Sequence, residues 1–168
     1  MAELTDREAG SPGPQAESPA VGDEVAAARR EELAQRPEHL RVAVATLRAA
    51  LEDGRGDDHE WRERLAVALS VAQDRLAAHN EEAEGPDGLL SQVLHDAAWL
   101  APRVDAVAQE HDRLLAECEQ LCATGCHDEP LDELERTART MAARIEEHRH
   151  HGTELLMDAY GLDVSAGD

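Results

Sequence analysis

The sequence predicts an all-α fold, an antiparallel four-helix bundle preceded by a disordered N-terminal tail. Two observations predict it. The 168 residues include two Trp, one Tyr and no Phe, so the apolar volume comes from Leu, Ala and Val, which suits closely packed helices. Apolar residues recur at helical spacing in four long segments, and no alternating β-branched run between turn residues occurs anywhere.

The N-terminal part of the chain differs in composition from the rest. Residues 1–22 are rich in Pro, Gly, Ser and Glu, which predicts a disordered acidic tail, and the helical domain is then expected over residues 23–168. A short helix is predicted in "GDEVAAARREELAQR", before Pro37. The start of the chain lacks the features of a signal peptide, and no run of 18 apolar residues occurs, so we expect a cytoplasmic protein.

Pro, Gly and capping residues delimit the first two long helices. The first, "PEHLRVAVATLRAALED", begins at Pro37 and is closed by Gly54 and Gly56. The second, "DDHEWRERLAVALSVAQDRLAAHNEEAE", is capped by Asp57 or Asp58 and stopped by "GPDG". The turn between them is short, which predicts that they are antiparallel neighbours.

The second half of the chain repeats this plan. A short segment, "LLSQVLHDAAWL", leads to Ala101, and Pro102 starts the third helix, "PRVDAVAQEHDRLLAECEQLC". After the turn "TGCHDEP", the fourth helix is predicted from about Leu131 to Tyr160. Two helical hairpins in succession predict the bundle.

Charge and nucleophiles narrow the classes of function. The formal net charge is −21 and all 16 basic residues are Arg, so nucleic acid, which needs a basic face, is not expected as a partner. No Ser or Cys nucleophile stands beside a His and an acid in a recognisable motif, so a conventional hydrolase is not expected either, and catalytic activity stays an open question. Cys118, Cys122 and Cys126 are interpreted as small buried or half-buried thiols, with a zinc site including His127 as the alternative.

Histidines give the strongest functional indication. At about 100° per residue, each long helix places one imidazole on its apolar stripe: His39, His79, His111 and His148. Each hairpin has one His early in its outgoing helix and one late in its returning helix, at similar depths by helical rise. Four imidazoles at one level of a bundle predict a metal site, because neutral imidazole binds iron, zinc and copper.

Further ligands are predicted near two of these histidines. Glu82 lies three residues after His79 on the same helix surface, and Glu84 reaches that surface if the helix unwinds before Gly85. Carboxylates of this kind bridge and neutralise the cations of a dinuclear iron site. His151, three residues after His148, is an additional candidate at the rim.

Taken together, these motifs resemble the hemerythrin-like (HHE cation-binding) family. The resemblance rests on one His per helix, "EH" opening the first and third helices, and "HNEEAEGPDGLL" after the second, while "HRHHGTELLMDAYGLDV" is similar to the tail of one bacterial branch. It covers roughly residues 37–164. It implies an antiparallel four-helix bundle with a non-haem di-iron centre that binds or senses dioxygen, peroxide, nitric oxide or iron. The implied ligands are His39, His79, His111, His148 and a carboxylate, Glu82 or Glu84.

The sequence departs from the family pattern at two carboxylate positions. Ala83 stands four residues after His79, and Gly152 four residues after His148, where the family has acids. The third helix has one inward His where oxygen carriers have two. Reversible dioxygen carriage is therefore not expected, and a mononuclear or incomplete site is an alternative. A degenerate, metal-free interaction module is the second hypothesis, and haem bound by two histidines is the third.

Overall fold

The computed structural model describes residues 38–54, 56–125 and 130–161. The described residues are helical and contain no strand, which confirms the all-α prediction. The predicted tail over residues 1–22 and the short helix in "GDEVAAARREELAQR" lie outside them, as do Cys126 and His127. Among the described residues, no helix has the length and apolar character needed to cross a membrane.

Five α-helices follow one another along these residues. Helix α1 spans Glu38–Glu52, α2 spans Asp58–Glu84, α3 spans Leu89–Asp96, α4 spans Ala101–Gln120 and α5 spans Leu131–Tyr160. A 3₁₀ turn, Ala98–Leu100, joins α3 to α4, and a π-helical turn, Leu121–Gly125, continues α4. The predicted short segment before Pro102 is thus a helix of its own followed by a tight turn.

The helix ends follow the capping chemistry that the sequence carries. The Asp57 carboxylate accepts hydrogen bonds from the backbone N–H groups of His59 and Glu60, so Asp57 is the N-cap of α2. Pro102 lies in the first turn of α4, where its missing N–H costs no hydrogen bond. Gly161 ends α5 with a φ of 61°, a left-handed conformation that favours glycine.

The four long helices pack as a ring. Helix α1 packs against α2 and α5, and α4 packs against the same two helices from the other side. The start of α1 lies beside the end of α2, where His39 contacts Glu82, and the start of α4 lies beside the end of α5, where Arg103 contacts Asp158. This arrangement is compatible with the predicted antiparallel bundle.

Buried apolar side chains form two clusters. The main cluster draws on all four long helices and comprises Leu40, Ala43, Val44, Leu47, Ala50, Leu51, Trp61, Leu65, Ala68, Leu69, Ala72, Leu76, Leu114, Cys118, Leu121, Leu134, Ala138, Met141, Ala142 and Ile145. The small cluster lies between α3, the 3₁₀ turn, α4 and α5 and comprises Leu90, Val93, Ala97, Leu100, Val104, Val107 and Leu155.

A polar layer falls at the boundary between the two clusters. Along α4, Val107 belongs to the small cluster and Leu114 to the main cluster, with His111 between them. Along α5, Ile145 belongs to the main cluster and Leu155 to the small one, with His148 between them. The buried histidines therefore lie where the apolar core is interrupted.

Candidate metal centre

Three imidazoles from three helices meet in this polar layer. One ring nitrogen each of His79 in α2, His111 in α4 and His148 in α5 lies within 4.8 Å of the other two, and the ring centroids are 4.7–5.7 Å apart. His111 is 1% exposed and His148 is 3% exposed, while His79 is half-buried. In the described part of the chain, no other group of three His, Cys, Asp or Glu side chains converges in this way.

Helical periodicity explains why these three side chains point inward. His79 lies three residues after Leu76 and four before Ala83, both of which are buried. His111 lies four residues after Val107 and three before Leu114, and His148 lies three residues after Ile145 and seven before Leu155. Residues three and four apart share one helix face, so each imidazole continues an apolar stripe into the centre of the ring of helices.

Two carboxylates hold the outer edges of the buried rings. Nδ1 of His111 lies 2.6 Å from Oε1 of Glu84, and Nδ1 of His148 lies 2.8 Å from Oε2 of Glu110. An ionised carboxylate only accepts hydrogen bonds, so Nδ1 of each ring carries the proton and donates. The Nε2 lone pair is then the one left for a metal, as in carboxylate–histidine–metal sites generally.

The environment favours neutral imidazoles. Burial, together with the neighbouring rings of His111, His148 and His39, lowers the pKa of His79 to about 3. Burial also lowers the pKa of His148, although its hydrogen bond with Glu110 opposes that shift. A neutral ring keeps a free lone pair, so His79 and His148 are in the ligating state at neutral pH.

The donor set fits a first-row transition-metal ion. Three atoms within 4.8 Å of one another have a common centre at most about 2.8 Å from each, and metal–imidazole bonds measure about 2.0–2.1 Å. Rotations that move each nitrogen by less than about 1 Å therefore bring all three to bonding distance. Three imidazoles with no thiolate among them suit iron, zinc, copper or nickel rather than magnesium or calcium.

Two of the sequence-predicted ligands, His39 and Glu82, lie together at the edge of the site. Nε2 of His39 lies 3.1 Å from Oε1 of Glu82, and its Nδ1 lies 3.5 Å from a guanidinium nitrogen of Arg75. The His39 side chain is 22% exposed, and its ring is not part of the converging group. A carboxylate at one ring nitrogen and a guanidinium near the other leave His39 no nitrogen directed at the three imidazoles.

Glu84 reaches the site by a route that the sequence did not predict. The sequence predicts that Glu84 reaches the site if the helix unwinds before Gly85, but α2 stays helical through Glu84. The carboxylate extends from the last helical residue to His111 on α4. It contacts a converging imidazole from outside rather than joining the group of three.

Glu110 and His151 are the residues whose role sequence reasoning missed. Glu110 precedes His111 in the "EH" motif, yet its side chain reaches α5 and contacts both His148 and His151. His151, expected as an additional ligand, contacts this carboxylate instead. The "EH" dipeptide could have indicated this contact, because successive residues of a helix point about 100° apart. Where His111 points into the interior, Glu110 points toward a neighbouring helix.

Ala83 and Gly152, where the hemerythrin-like family has a carboxylate, differ in their surroundings. Ala83 is 6% exposed and faces the interior. A Cβ added at Gly152 would meet no atom within 4 Å, so space is open beside α5 at that point.

The interpretation of Cys118 as a buried thiol is confirmed. Its side chain is buried in the main cluster and donates a hydrogen bond to the Leu69 carbonyl at 3.7 Å, and burial raises the pKa of the thiol to about 12.

Comparison with known proteins yields no relative: no family model, no curated protein and no solved structure matches the chain. The chemistry of the site therefore follows from its own residues. These residues are three converging imidazoles and the two carboxylates that contact them from outside.

Proposed function

We propose that this chain binds a transition-metal ion, non-haem iron in the first place, through His79, His111 and His148. The observation that carries the proposal is the convergence of one ring nitrogen from each of three helices to within 4.8 Å. Two of the three rings are almost fully buried, and both are held through Nδ1 by a carboxylate. That arrangement is typical of metal-binding histidines.

The position of the imidazoles supports a functional role. A Leu at each of these positions would join the two apolar clusters. Its burial would stabilise the folded state by about 1.5–3 kcal/mol per side chain. The chain has polar rings there instead, at the one level of the ring of helices where α4 and α5 pass from one cluster to the other. A shared cation is the partner that would satisfy three imidazoles together.

The choice of iron and the proposed ligand come from the resemblance to the hemerythrin-like family. Under this proposal the four long helices form an antiparallel bundle, and the protein acts in the cytoplasm as a sensor or binder of dioxygen, peroxide or nitric oxide. When bound, the ion would supply a Lewis-acidic, redox-active centre with open coordination positions. Glu84 and Glu110 orient the imidazoles and balance the charge of the ion.

The test is metal binding by the purified chain. We expect iron in the protein as isolated, and a rise in melting temperature when iron(II) is added anaerobically to metal-free protein, because a ligand of the folded state stabilises that state. His79→Ala and His148→Ala are expected to lose both effects. His59→Ala, which removes an imidazole that is 80% exposed at the other end of α2, is the matched control and should keep them.

A wild-type protein that takes up no iron and melts at the same temperature with and without it would overturn the proposal. Titration with zinc(II) and copper(II) in the same assay separates the choice of metal from the existence of the site. Binding of zinc alone would retain the three-histidine site and discard iron.

The absence of acids at Ala83 and Gly152 favours a second candidate, a metal-free interaction module that has kept the bundle and lost the iron. On that reading, replacing all three converging histidines with Leu leaves the fold intact and raises the free energy of unfolding. On the metal-binding reading, the same variant loses metal uptake.

A further inference from the structure

The carboxylate of Glu110 lies between a buried and a partly exposed imidazole. Oε2 of Glu110 is 2.8 Å from Nδ1 of His148, and both of its oxygens are 3.0 Å from Nδ1 of His151. Side-chain exposure rises along this series, from 3% at His148 through 26% at Glu110 to 41% at His151. A continuous series of hydrogen-bonded groups therefore connects the candidate metal centre to solvent.

Helix geometry explains why one carboxylate reaches both rings. His148 and His151 are three residues apart on α5 and share a face, and Glu110 extends to that face from α4. A Glu side chain that is a quarter exposed has several rotamers open to it. With the His148 hydrogen bond alone, its carboxylate could turn toward water. A second donor that contacts both oxygens restricts it to the rotamer in which it accepts from His148.

Electrostatics agree with this geometry. Burial raises the pKa of Glu110, but the hydrogen bonds from His148 and His151 outweigh that effect and hold the pKa below its usual range. The hydrogen bond to Glu110 raises the pKa of His151. A carboxylate accepts hydrogen bonds, and both imidazoles approach Glu110 with Nδ1, so Nδ1 is the donor of each ring.

The other buried ring lacks this arrangement. His111 contacts Glu84, whose side chain is 42% exposed and has no other partner among the described residues. One ring is supported by a single carboxylate, and the other by a carboxylate that a second imidazole holds in place. This difference indicates a specific role for His151.

We infer that His151 is a positioning residue: it holds Glu110 against His148 and so fixes the Nδ1–H tautomer and the ring orientation that direct Nε2 of His148 into the metal centre. The inference deepens the proposed function and rests on it, in that it takes His148 as a metal ligand. His151 itself stays outside the group of three imidazoles.

The chain offers a matched pair of variants for the test. His151→Ala removes the hydrogen bonds to Glu110, whereas His150→Ala removes an adjacent imidazole that is 60% exposed and lies 3.9 Å from Glu146. His151→Asn restores an N–H donor at the same position. The probes are competitive titration with iron(II) and zinc(II), and the nitrogen chemical shifts and Nδ1 proton signal of His148 in metal-free protein.

We expect His151→Ala to weaken metal affinity about tenfold, the lower end of the range for outer-shell partners. We expect His150→Ala to change it less than about twofold, and His151→Asn to restore most of the loss. In metal-free protein, His151→Ala should lose the protected Nδ1 proton of His148 and should show both tautomers, while His150→Ala should look like the wild type.

The outcomes separate the two proposals. Equal affinities for His151→Ala and His150→Ala, with an unchanged His148 tautomer, would overturn the positioning role while leaving the metal site in place. A wild-type protein without metal affinity would overturn the proposed function, and the tautomer measurement would still decide whether His151 positions His148. If His151→Ala lowers stability, the His151→Asn comparison separates lost positioning from lost packing.

Discussion

The two apolar clusters differ in size, in the helices that contribute to them and in the exposure of the tryptophan that their segments carry. The main cluster takes residues from all four long helices and contains Trp61, which is 1% exposed. The small cluster has no residue from α1 or α2, and Trp99 in its 3₁₀ turn is 69% exposed. The three imidazoles lie between them. We infer that stability comes mainly from the first cluster, and that the second covers one side of the metal centre.

The largest expected effect contrasts the two clusters directly. Leu69 in the main cluster and Leu155 in the small one are both fully buried. We expect Leu69→Ala to lower the free energy of unfolding by about 4–5 kcal/mol and Leu155→Ala by about 2–3 kcal/mol, because the smaller cluster can close more of the cavity. Urea denaturation measures both. A larger loss for Leu155→Ala would reverse the assignment of stability to the main cluster.

Metal removal sharpens the comparison. Metal at 100 times its dissociation constant should stabilise the wild type by about 2.7 kcal/mol, and chelation should remove that gain. Because α3 packs in the small cluster, which the histidine layer separates from the main cluster, its amide hydrogens are expected to exchange faster after chelation, while those of α1 change less. Hydrogen-exchange mass spectrometry measures this, and an equal response in the two helices would contradict it.

Acid should destabilise the metal-free protein through the histidine layer. The pKa of His79 is lowered by burial to about 3 in the folded protein, from an ordinary value of 6.5, so the unfolded chain binds the extra proton between these pH values. Stability is therefore full above about pH 6.5 and falls as the pH drops toward 3, with a slope of up to about 1.4 kcal/mol per pH unit from this group.

The variant His79→Gln isolates that contribution. It should flatten the dependence of the free energy of unfolding on pH between about 6.5 and 3, relative to the wild type. His59→Gln, which replaces an imidazole that is 80% exposed at the other end of α2, is the matched control. Parallel curves for the wild type and His79→Gln would show that the His79 imidazole does not couple protonation to folding.

The smallest expected effect concerns Gly152. It lies inside α5, and a Cβ there would meet no atom within 4 Å, so Gly152→Ala should raise the free energy of unfolding by about 0.5–1 kcal/mol through helix propensity. Metal affinity should not change, because a methyl group adds no ligand. Thermal denaturation and a metal titration check the two statements, and a loss of affinity would indicate that the open space beside α5 is used.

The sequence predicted the helices well because their limits depend on local chemistry. Asp57 as a cap and Pro102 in a first turn act within a few residues of chain, and the structure has both. The inward direction of His79, His111 and His148 also followed from the 3.6-residue period, which needs only the helix to which each belongs.

What the sequence could not supply is the alignment of one helix against another. His39 shares a helix face with Ala43, but it lies in the first turn of α1. There its two ring nitrogens contact Arg75 and Glu82 of α2. The contact of Glu110 with α5 likewise depends on the axial offset between two helices. A helical period gives a direction around one axis and no information on that offset.

The turn after α2 carries a constraint that reaches the metal centre. A Cβ at Gly88 would lie 2.4 Å from the Ala83 carbonyl oxygen and 2.8 Å from that of Glu82, so any other residue would displace the last turn of α2. That turn also carries Glu84, whose carboxylate ends 2.6 Å from the His111 ring. The orientation of an imidazole in the interior thus depends on a missing methyl group at a buried glycine between α2 and α3.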